Sequence, residues 1–261
     1  MIDDDHSTKL IEAKIRFAQE QRFIALQRSP DNSGRLPPGQ AKVKGLPVLD
    51  LGIHPELTHT DWRLVIDGAV EHPCVLDWQQ FTGLEQADAL TDIHCVTSWS
   101  SFDNHWSGVR FGTLADLVGP TAAATHVMLH GYDGYTTNIP IEELLQDNCL
   151  VATSWNGELL SESHGGPARL VIPQLYFWKS AKWISRIEFL KEDAPGYWEQ
   201  RGYHNDGDPW VEQRYGKRLL PAADTAIIEA PPTKAEDVVL AQAESLLTRI
   251  KGWVSYHFFP D

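Results

Sequence analysis

Between residues 36 and 218 the apolar runs are short and close on glycine, proline or polar turns, and this punctuation constrains the fold more than any other feature. Trp62, Leu64 and Ile66 alternate with Arg63 and Asp67 before Gly68, the period-two pattern of a strand. Ile93 to Val96 is a short apolar strand in which Cys95 stands near the end. His126-Val127-Met128-Leu129-His130 reads as a strand entering the tight turn Gly131-Tyr132-Asp133-Gly134, and Leu170 to Ile172 and Trp183 to Leu190 complete the clear strands. Helical stretches are brief: around Trp78 to Phe81, Thr113 to Val118, and Ile141 to Leu145 after Pro140. Strands and helices do not alternate as regular βαβ units. The expected fold class is α+β, with mixed β-sheets and short helices.

The flanks read differently. Residues 1–35 are expected to form an N-terminal helix and linker: Ile11, Ile15, Ala18 and Arg22 follow helical spacing, and Ser29-Pro30-Asp31-Asn32-Ser33-Gly34 breaks the run. Residues 219–261 read as a C-terminal extension with one helix. Thr233-Lys234-Ala235-Glu236 has the capping-box pattern, Val239, Ala243, Leu246 and Ile250 recur at helical spacing, and Gly252 can end the run. Residues 36–218 are then the central domain. The formal net charge of −14 argues against nucleic-acid binding and against an anionic membrane surface, since both require clustered Lys and Arg. No run of 18 apolar residues offers a membrane span. The acidic start and the charges spread from Lys9 to Arg28 do not form a secretory signal, so the expected location is cytoplasmic.

Three cysteines, Cys74, Cys95 and Cys149, include no C-x-x-C pair, so zinc-ribbon and dithiol spacings are absent. Cys95, in Asp92-Ile93-His94-Cys95-Val96-Thr97-Ser98-Trp99-Ser100, has three possible uses on residue type: buried core thiol, nucleophile, or lone thiolate ligand to a metal. His126 and His130 have the i, i+4 spacing that would bring metal ligands together on a helix. On a strand they stand roughly 13 Å apart, at about 3.3 Å per residue, so they are not read as a zinc pair. His130, at the strand end, is a candidate to line a cleft. Arg169 is the unusual cation: it lies inside an apolar strand ending at Pro173 and needs a partner.

Several motifs agree in order and spacing. His94 to Leu117 reads HCVTSWSSFDNHWSGVRFGTLADL; Gly165 to Pro173, Lys179 to Ile184, Trp198 to Asn205 and Gly207 to Trp210 follow. Together these stretches, over roughly residues 36 to 218, resemble the molybdopterin-binding oxidoreductases of the sulfite oxidase family, in particular the branch with the methionine sulfoxide reductase catalytic subunit and its soluble relatives. The resemblance implies a sulfite-oxidase-like molybdopterin-binding fold and a molybdenum-molybdopterin cofactor in its mononucleotide-free pterin form. It implies that Cys95 is both the catalytic residue and the one side-chain ligand to molybdenum. A soft thiolate suits that site, because the pterin brings its own two sulfurs, and coordination itself deprotonates the thiol. By the same resemblance Arg169 contacts the pterin phosphate, with a guanidinium fork matched to its oxygens. His164 is a hydrogen-bonding contact, Ser180, Ala181 and Lys182 form the backbone loop at the cofactor, and Leu49 and Asp50 contact the pterin from the N-terminal side. Lys179 adds local positive charge. Gly131 stands near a family threonine contact that it lacks the side chain to make.

The implied reaction is oxygen-atom transfer on a small substrate, with S- and N-oxides as candidates. Sulfite oxidases follow the ligand cysteine with an arginine that helps bind an anion; here Trp99 stands there, which disfavours sulfite. His105, Trp106, Tyr203 and His204 are further pocket candidates. With no C-x-x-C-H haem site and no iron–sulfur cysteine set in the sequence, an external haem or cytochrome electron carrier is expected. Three other readings compete: a non-catalytic binding module using the ten tryptophans, an inactive pterin-binding homologue, and a Cys–His hydrolase.

Overall fold

The structure, a computed structural model, describes residues 34–216 together with Glu12, Ala13 and Arg16, which are helical. The expected C-terminal extension and most of the expected N-terminal helix and linker lie outside the described residues. In chain order the elements are β1 (Ala41–Lys42), β2 (Arg63–Gly68), β3 (Cys74–Asp77), α1 (Trp78–Thr82), β4 (Gln86–His94), β5 (Trp99–Arg110) and α2 (Phe111–Val118). They continue with β6 (His126–Gly131), β7 (Thr136–Pro140), α3 (Ile141–Leu144), β8 (Leu150–Trp155), β9 (Glu158–Leu159), β10 (Arg169–Val171) and β11 (Ile184–Leu190). Three short 3-10 turns, at Glu162–His164, Phe177–Lys179 and Glu199–Arg201, punctuate the later half. Mixed sheets with few, short helices are what the punctuated sequence led us to expect.

One sheet has the order β3-β2-β11-β6-β7. Its centre is the parallel pair β2 and β11, flanked by antiparallel neighbours. Leu64, Val65 and Ile66 are all fully buried, so β2 is covered on both faces despite its alternating pattern. Asp67, a polar member of that pattern, is itself buried, and Arg186 of β11 pairs with it through two bonds of 2.9 and 3.0 Å. The other sheet runs β1-β5-β8-β10, with β4 also on β5 and β9 on β8. Its backbone is β5, twelve residues long, a strand that the sequence pattern does not announce. Ser100, Ser101 and Asn104 are buried in it, and their polar groups are satisfied within the sheet, so period-two hydrophobicity is weak where the strand is best supported.

The helices tie the sheets together. Asp77 and Gln80 form a capping box at the start of α1, whose Trp78 and Phe81 pack edge-on to the fully buried Trp62. The Trp62 indole N–H donates to Ile184 O at 3.1 Å, so the ring spans helix and central strand without an unmet donor. Phe111, at the start of α2, leaves the β5 strand and meets Phe189 of β11 at 6.1 Å between ring centroids, joining the two sheets.

Close strand packing requires glycine at 108. A Cβ there would stand 2.2 Å from Val151 O and 2.6 Å from Ala152 Cα, where β5 and β8 shift register. Gly108→Ala is expected to push these strands apart and to cost about 1–3 kcal/mol, the usual penalty for overpacking. A denaturant midpoint unchanged within error would refute this reading of the contact.

Candidate cofactor cleft

Strands β4 and β5 form a hairpin, and Cys95 opens its three-residue tip. Cys95 N donates to Trp99 O at 2.8 Å and Ser98 N donates to Cys95 O at 2.9 Å, leaving Val96, Thr97 and Ser98 as the loop. Ser98 has φ 77°, the left-handed position that such loops usually give to glycine. The strain is held by surrounding contacts: Ser98 is buried, Ala41 N donates to its carbonyl at 2.9 Å, and Arg214 donates to Ser98 Oγ at 3.3 Å and to Val96 O. Gln40 donates to Cys95 O at 2.9 Å. The sequence placed the thiol near a strand end; it sits on a turn clamped from two other chain segments, Gln40–Ala41 and Arg214. Its sulfur lies 3.1 Å from Thr97 Oγ1.

The hairpin tip forms one wall of a cleft. Cys95, Thr97 and Trp99 face the segment Leu46–Leu51 and the stretch from Ser180 to Trp183, with Asp133, Tyr135, His164 and Arg169 among the other walls. Of the residues the sequence put forward, Leu49, Asp50, Cys95, His164, Arg169, Ser180, Ala181 and Lys182 are brought together here. His130 is not. Strand alternation turns its ring from the cleft, and Nε2 lies 3.2 Å from Glu188 Oε2 across the β6–β11 pair. Lys179 is also elsewhere: it is fully buried in an ion pair with Glu199 at 2.6 Å, and its ammonium also donates to Asn138 O at 2.7 Å. Tyr203 lines the cleft, whereas His105, Trp106 and His204 do not.

Arg169 dominates the electrostatics. Its side chain is 1% exposed and stacks on Phe177, with the guanidinium 4.3 Å from the ring centroid. Its nitrogens donate to His164 O at 2.9 Å, to Ser180 O at 2.8 Å and to Leu170 O at 3.4 Å. These acceptors are all neutral carbonyls, and no ion pair among the described residues includes Arg169. Burial lowers its pKa to about 9. Lys182 adds a second cation, brought down to about 8 first by burial and then by the neighbouring Arg169 charge. Lys182 Nζ donates to Asp50 Oδ2 at 3.1 Å and to Ser163 O at 2.7 Å. Burial pushes Asp50 upward, but the Lys182 charge and the Gly52 N–H outweigh it and hold the carboxyl below its ordinary range. His164 has both ring nitrogens engaged, with Ser161 Oγ at 2.9 Å and Leu46 O at 3.0 Å, so the histidine in this cleft is not free to act as a base toward Cys95.

Sequence reasoning did not single out Asp133. It is buried, lines the cleft, and its carboxyl is raised to about 7 by burial, with the Tyr135 N–H opposing the rise. The signal was Gly131: a Cβ at 131 would stand 2.3 Å from Asp133 Oδ1, so the missing side chain is the space that the carboxylate occupies. The aromatic wall was visible only as composition. Trp99, Trp178, Trp183 and Trp198 line the cleft with Phe177 and Tyr203. Most described tryptophans are buried, and among them only Trp210 is exposed. That distribution does not suit a stacking surface for sugars.

The donor set matches a cofactor that brings its own ligands. Among the described residues no group of three His, Cys, Asp or Glu side chains could hold a metal, so Cys95 could serve only as one ligand among others supplied from outside the chain. Arg169 and Lys182 fit an anionic group, and the flat aromatic walls fit a planar ring system.

Comparisons with known proteins point the same way. Residues 51–198 match the family described as oxidoreductase molybdopterin binding domain. The chain is 45% identical over 194 residues to the uncharacterized oxidoreductase YuiH of Bacillus subtilis (strain 168), covering 74% of this chain and 98% of that one. It is 29% identical over 177 residues to the protein-methionine-sulfoxide reductase catalytic subunit MsrP of Gluconobacter oxydans (strain 621H), covering 58% of this chain and 55% of that one. Its match thus spans only about half the length of that subunit. Among solved structures it is similar to the sulfane dehydrogenase SoxCD of Paracoccus pantotrophus, with a TM-score of 0.49, 23% identity and coverage of 53% of this chain and 40% of that one.

Asp133 gives a direct electrostatic test. The folded protein binds its proton more tightly than the unfolded chain does, so its contribution to stability falls as pH rises from about 4 to about 7. Asp133→Asn is expected to remove that slope, gaining on the parent protein by up to a few kcal/mol between pH 4 and pH 8. Denaturant titrations of cofactor-free protein across this range check it; parallel stability curves would contradict the assignment.

Proposed function

The chain belongs to the oxidoreductase molybdopterin-binding family, and from that premise we propose that it transfers an oxygen atom to or from a small neutral S-oxide or N-oxide at a molybdenum–pterin cofactor held in this cleft. The observation that carries the reading is the pairing, among the described residues, of a single thiol without companion metal ligands, Cys95, with a buried guanidinium, Arg169, whose acceptors there are neutral carbonyls. When bound, the cofactor supplies the two-electron redox chemistry and the exchangeable oxygen.

The chain's residues divide the remaining work. Cys95 donates its sulfur, and Thr97 Oγ1 at 3.1 Å fixes where that sulfur points. Arg169 and Lys182 take the terminal phosphate of a pterin without a nucleotide, since one compact cluster of two cations suits one phosphate group. His164, Leu49, Asp50 and the Ser180–Lys182 loop border the same cofactor. Burial raises the pKa of the Tyr203 hydroxyl, so at neutral pH it is a hydrogen-bond donor at the wall that a substrate oxygen would approach. The aromatic walls exclude water and favour an uncharged substrate. Both lining cations are committed to the cofactor, and the position beside the thiolate holds Trp99 instead of a cation, so an anion such as sulfite has no charge to meet.

Protein made in cofactor-competent cells is expected to carry molybdenum and pterin close to one per chain, and Cys95→Ser to lose the metal and all turnover while remaining folded. Reduction of a dialkyl sulfoxide by a viologen donor is expected to exceed sulfite oxidation by at least about a hundredfold in kcat/KM, or roughly 3 kcal/mol of transition-state preference. Stoichiometric cofactor with no turnover on either substrate class would favour an inactive homologue. A metal-free protein whose Cys95→Ser variant behaves like the parent would end the proposal.

A further inference from the structure

Arg214 does not line the cleft, and it lies beyond the residues 51–198 that match the family. A short antiparallel return brings it to the hairpin tip. Tyr215 pairs with Tyr203, His204 N donates to Arg214 O at 3.1 Å, and Gly216 N donates to Gly202 O at 3.1 Å. Glu212, at φ 53°, turns the chain into that return. The Arg214 side chain is buried, with its guanidinium 5.1 Å from the Tyr176 ring centroid. Nη1 donates to Val96 O and, at 3.3 Å, to Ser98 Oγ, while Nη2 donates to Pro38 O at 3.4 Å. Nε lies 3.7 Å from the half-exposed Glu212 carboxylate. The Tyr176 hydroxyl feels both this cation and the thiol: burial pushes it up to about 12, the Arg214 charge opposes the rise, and Cys95 adds to it. Arg214 and the sulfur therefore share a neighbourhood. We propose that Arg214 is a positioning residue for the metal-binding thiolate: it fixes the Val96–Ser98 loop and supplies the positive charge that balances Cys95 once its sulfur is ligated to molybdenum.

The proposal rests on the redox reading above and adds to it a residue that acts through the tip instead of touching the cofactor. Two properties of the side chain matter. A planar guanidinium reaches Val96 O and Ser98 Oγ with one nitrogen and Pro38 O with another, whereas a lysine has one nitrogen for all three. Its charge is permanent and buried, so it acts on the tip through protein more than through water. A nearby cation favours the more negative state of a redox centre, so it raises the potential at which the centre accepts an electron. The return also ties this cation to the cleft wall. Tyr203, bridged to Tyr215, stacks on Trp198 with ring centroids 5.0 Å apart, and both line the cleft. One short segment thus sets the tip that carries the sulfur and the wall that carries the Tyr203 hydroxyl.

Two readings separate the charge from the hold. The first is the midpoint potential of molybdenum in cofactor-loaded protein, followed by electron paramagnetic resonance during a redox titration. The second is amide hydrogen exchange at Cys95 and Ser98, whose N–H groups close the tip, in cofactor-free protein. Arg214→Gln keeps a donor and loses the charge. It is expected to shift the one-electron equilibrium about tenfold toward the oxidised form, a fall of about 59 mV. Arg214→Lys keeps the charge and is expected to hold that equilibrium within about threefold of the parent while the tip amides exchange about tenfold faster. Arg214→Ala is expected to show both changes; if it fails to fold, the other two variants decide. Arg110→Gln, which removes an exposed cation 3.3 Å from Asp147, is expected to alter neither reading. Equal potential shifts in the Lys and Gln variants would overturn the charge role, and tip amides that exchange as in the parent in every variant would overturn the hold. Parent protein that carries no molybdenum would strike instead at the redox reading, and the exchange comparison would decide by itself whether Arg214 positions the tip.

Discussion

A guanidinium removed from water with neutral carbonyl oxygens for company is the interaction on which the rest of this site turns. Arg169 is almost wholly buried, and its neighbours in β10 and the Ser180 loop offer acceptors but no countercharge among the ion pairs of the described residues. Burying an unpaired ion costs several kcal/mol, and a chain tolerates that only where another charge arrives. Phe177 and the Ser180 carbonyl fix the fork in place beforehand, so an incoming anion meets a preset donor array. Lys182 stands by as a second cation, balanced meanwhile by Asp50, and Asp133 sits close enough to feel both charges. The cleft is thus arranged for a charged, planar group before one is bound.

The second constraint is the clamp on the β4–β5 tip. In the proposed function Cys95 is the one ligand among the described residues, so the backbone alone must hold it. Gln40, Ala41 and Arg214 reach the tip from distant parts of the chain and hold Ser98 in a conformation that serine rarely adopts. His94, the residue before Cys95, meets the Trp210 ring edge-on at 5.8 Å between centroids, so the tip is packed against residues late in the described chain as well.

Some of this was legible in the residues. The α+β class followed from short, punctuated apolar runs, and the helices at Trp78, Phe111 and Ile141 fell close to the stretches where they were expected, the last directly after Pro140. Cys95, Arg169 and the Ser180–Lys182 loop could be named because their motifs are contiguous. Strand β5 could not be seen, since its buried serines and asparagine are satisfied by neighbours that adjoin it only in the fold. His130 was misplaced because a strand end does not reveal which way the ring turns; the Glu188 carboxylate, 3.2 Å from Nε2 across the sheet, shows where it lies. Asp133 escaped notice because a carboxylate in a turn reads as solvated until the fold buries it over Gly131.

The sequence by itself determined the chemistry on offer: one soft sulfur without companion ligands, one arginine in an apolar strand, and tryptophan where an anion-binding cation could have stood. Those are properties of residue type and short-range order, and they survive any rearrangement of loops. Only the tertiary structure decided which of these groups share a cleft, which cations are already paired, and that the thiolate's neighbour faces an exposed ring. Burial and opposition across strands are relations between distant parts of the chain, and a charge acquires its partner or goes without one only when the sheets have packed.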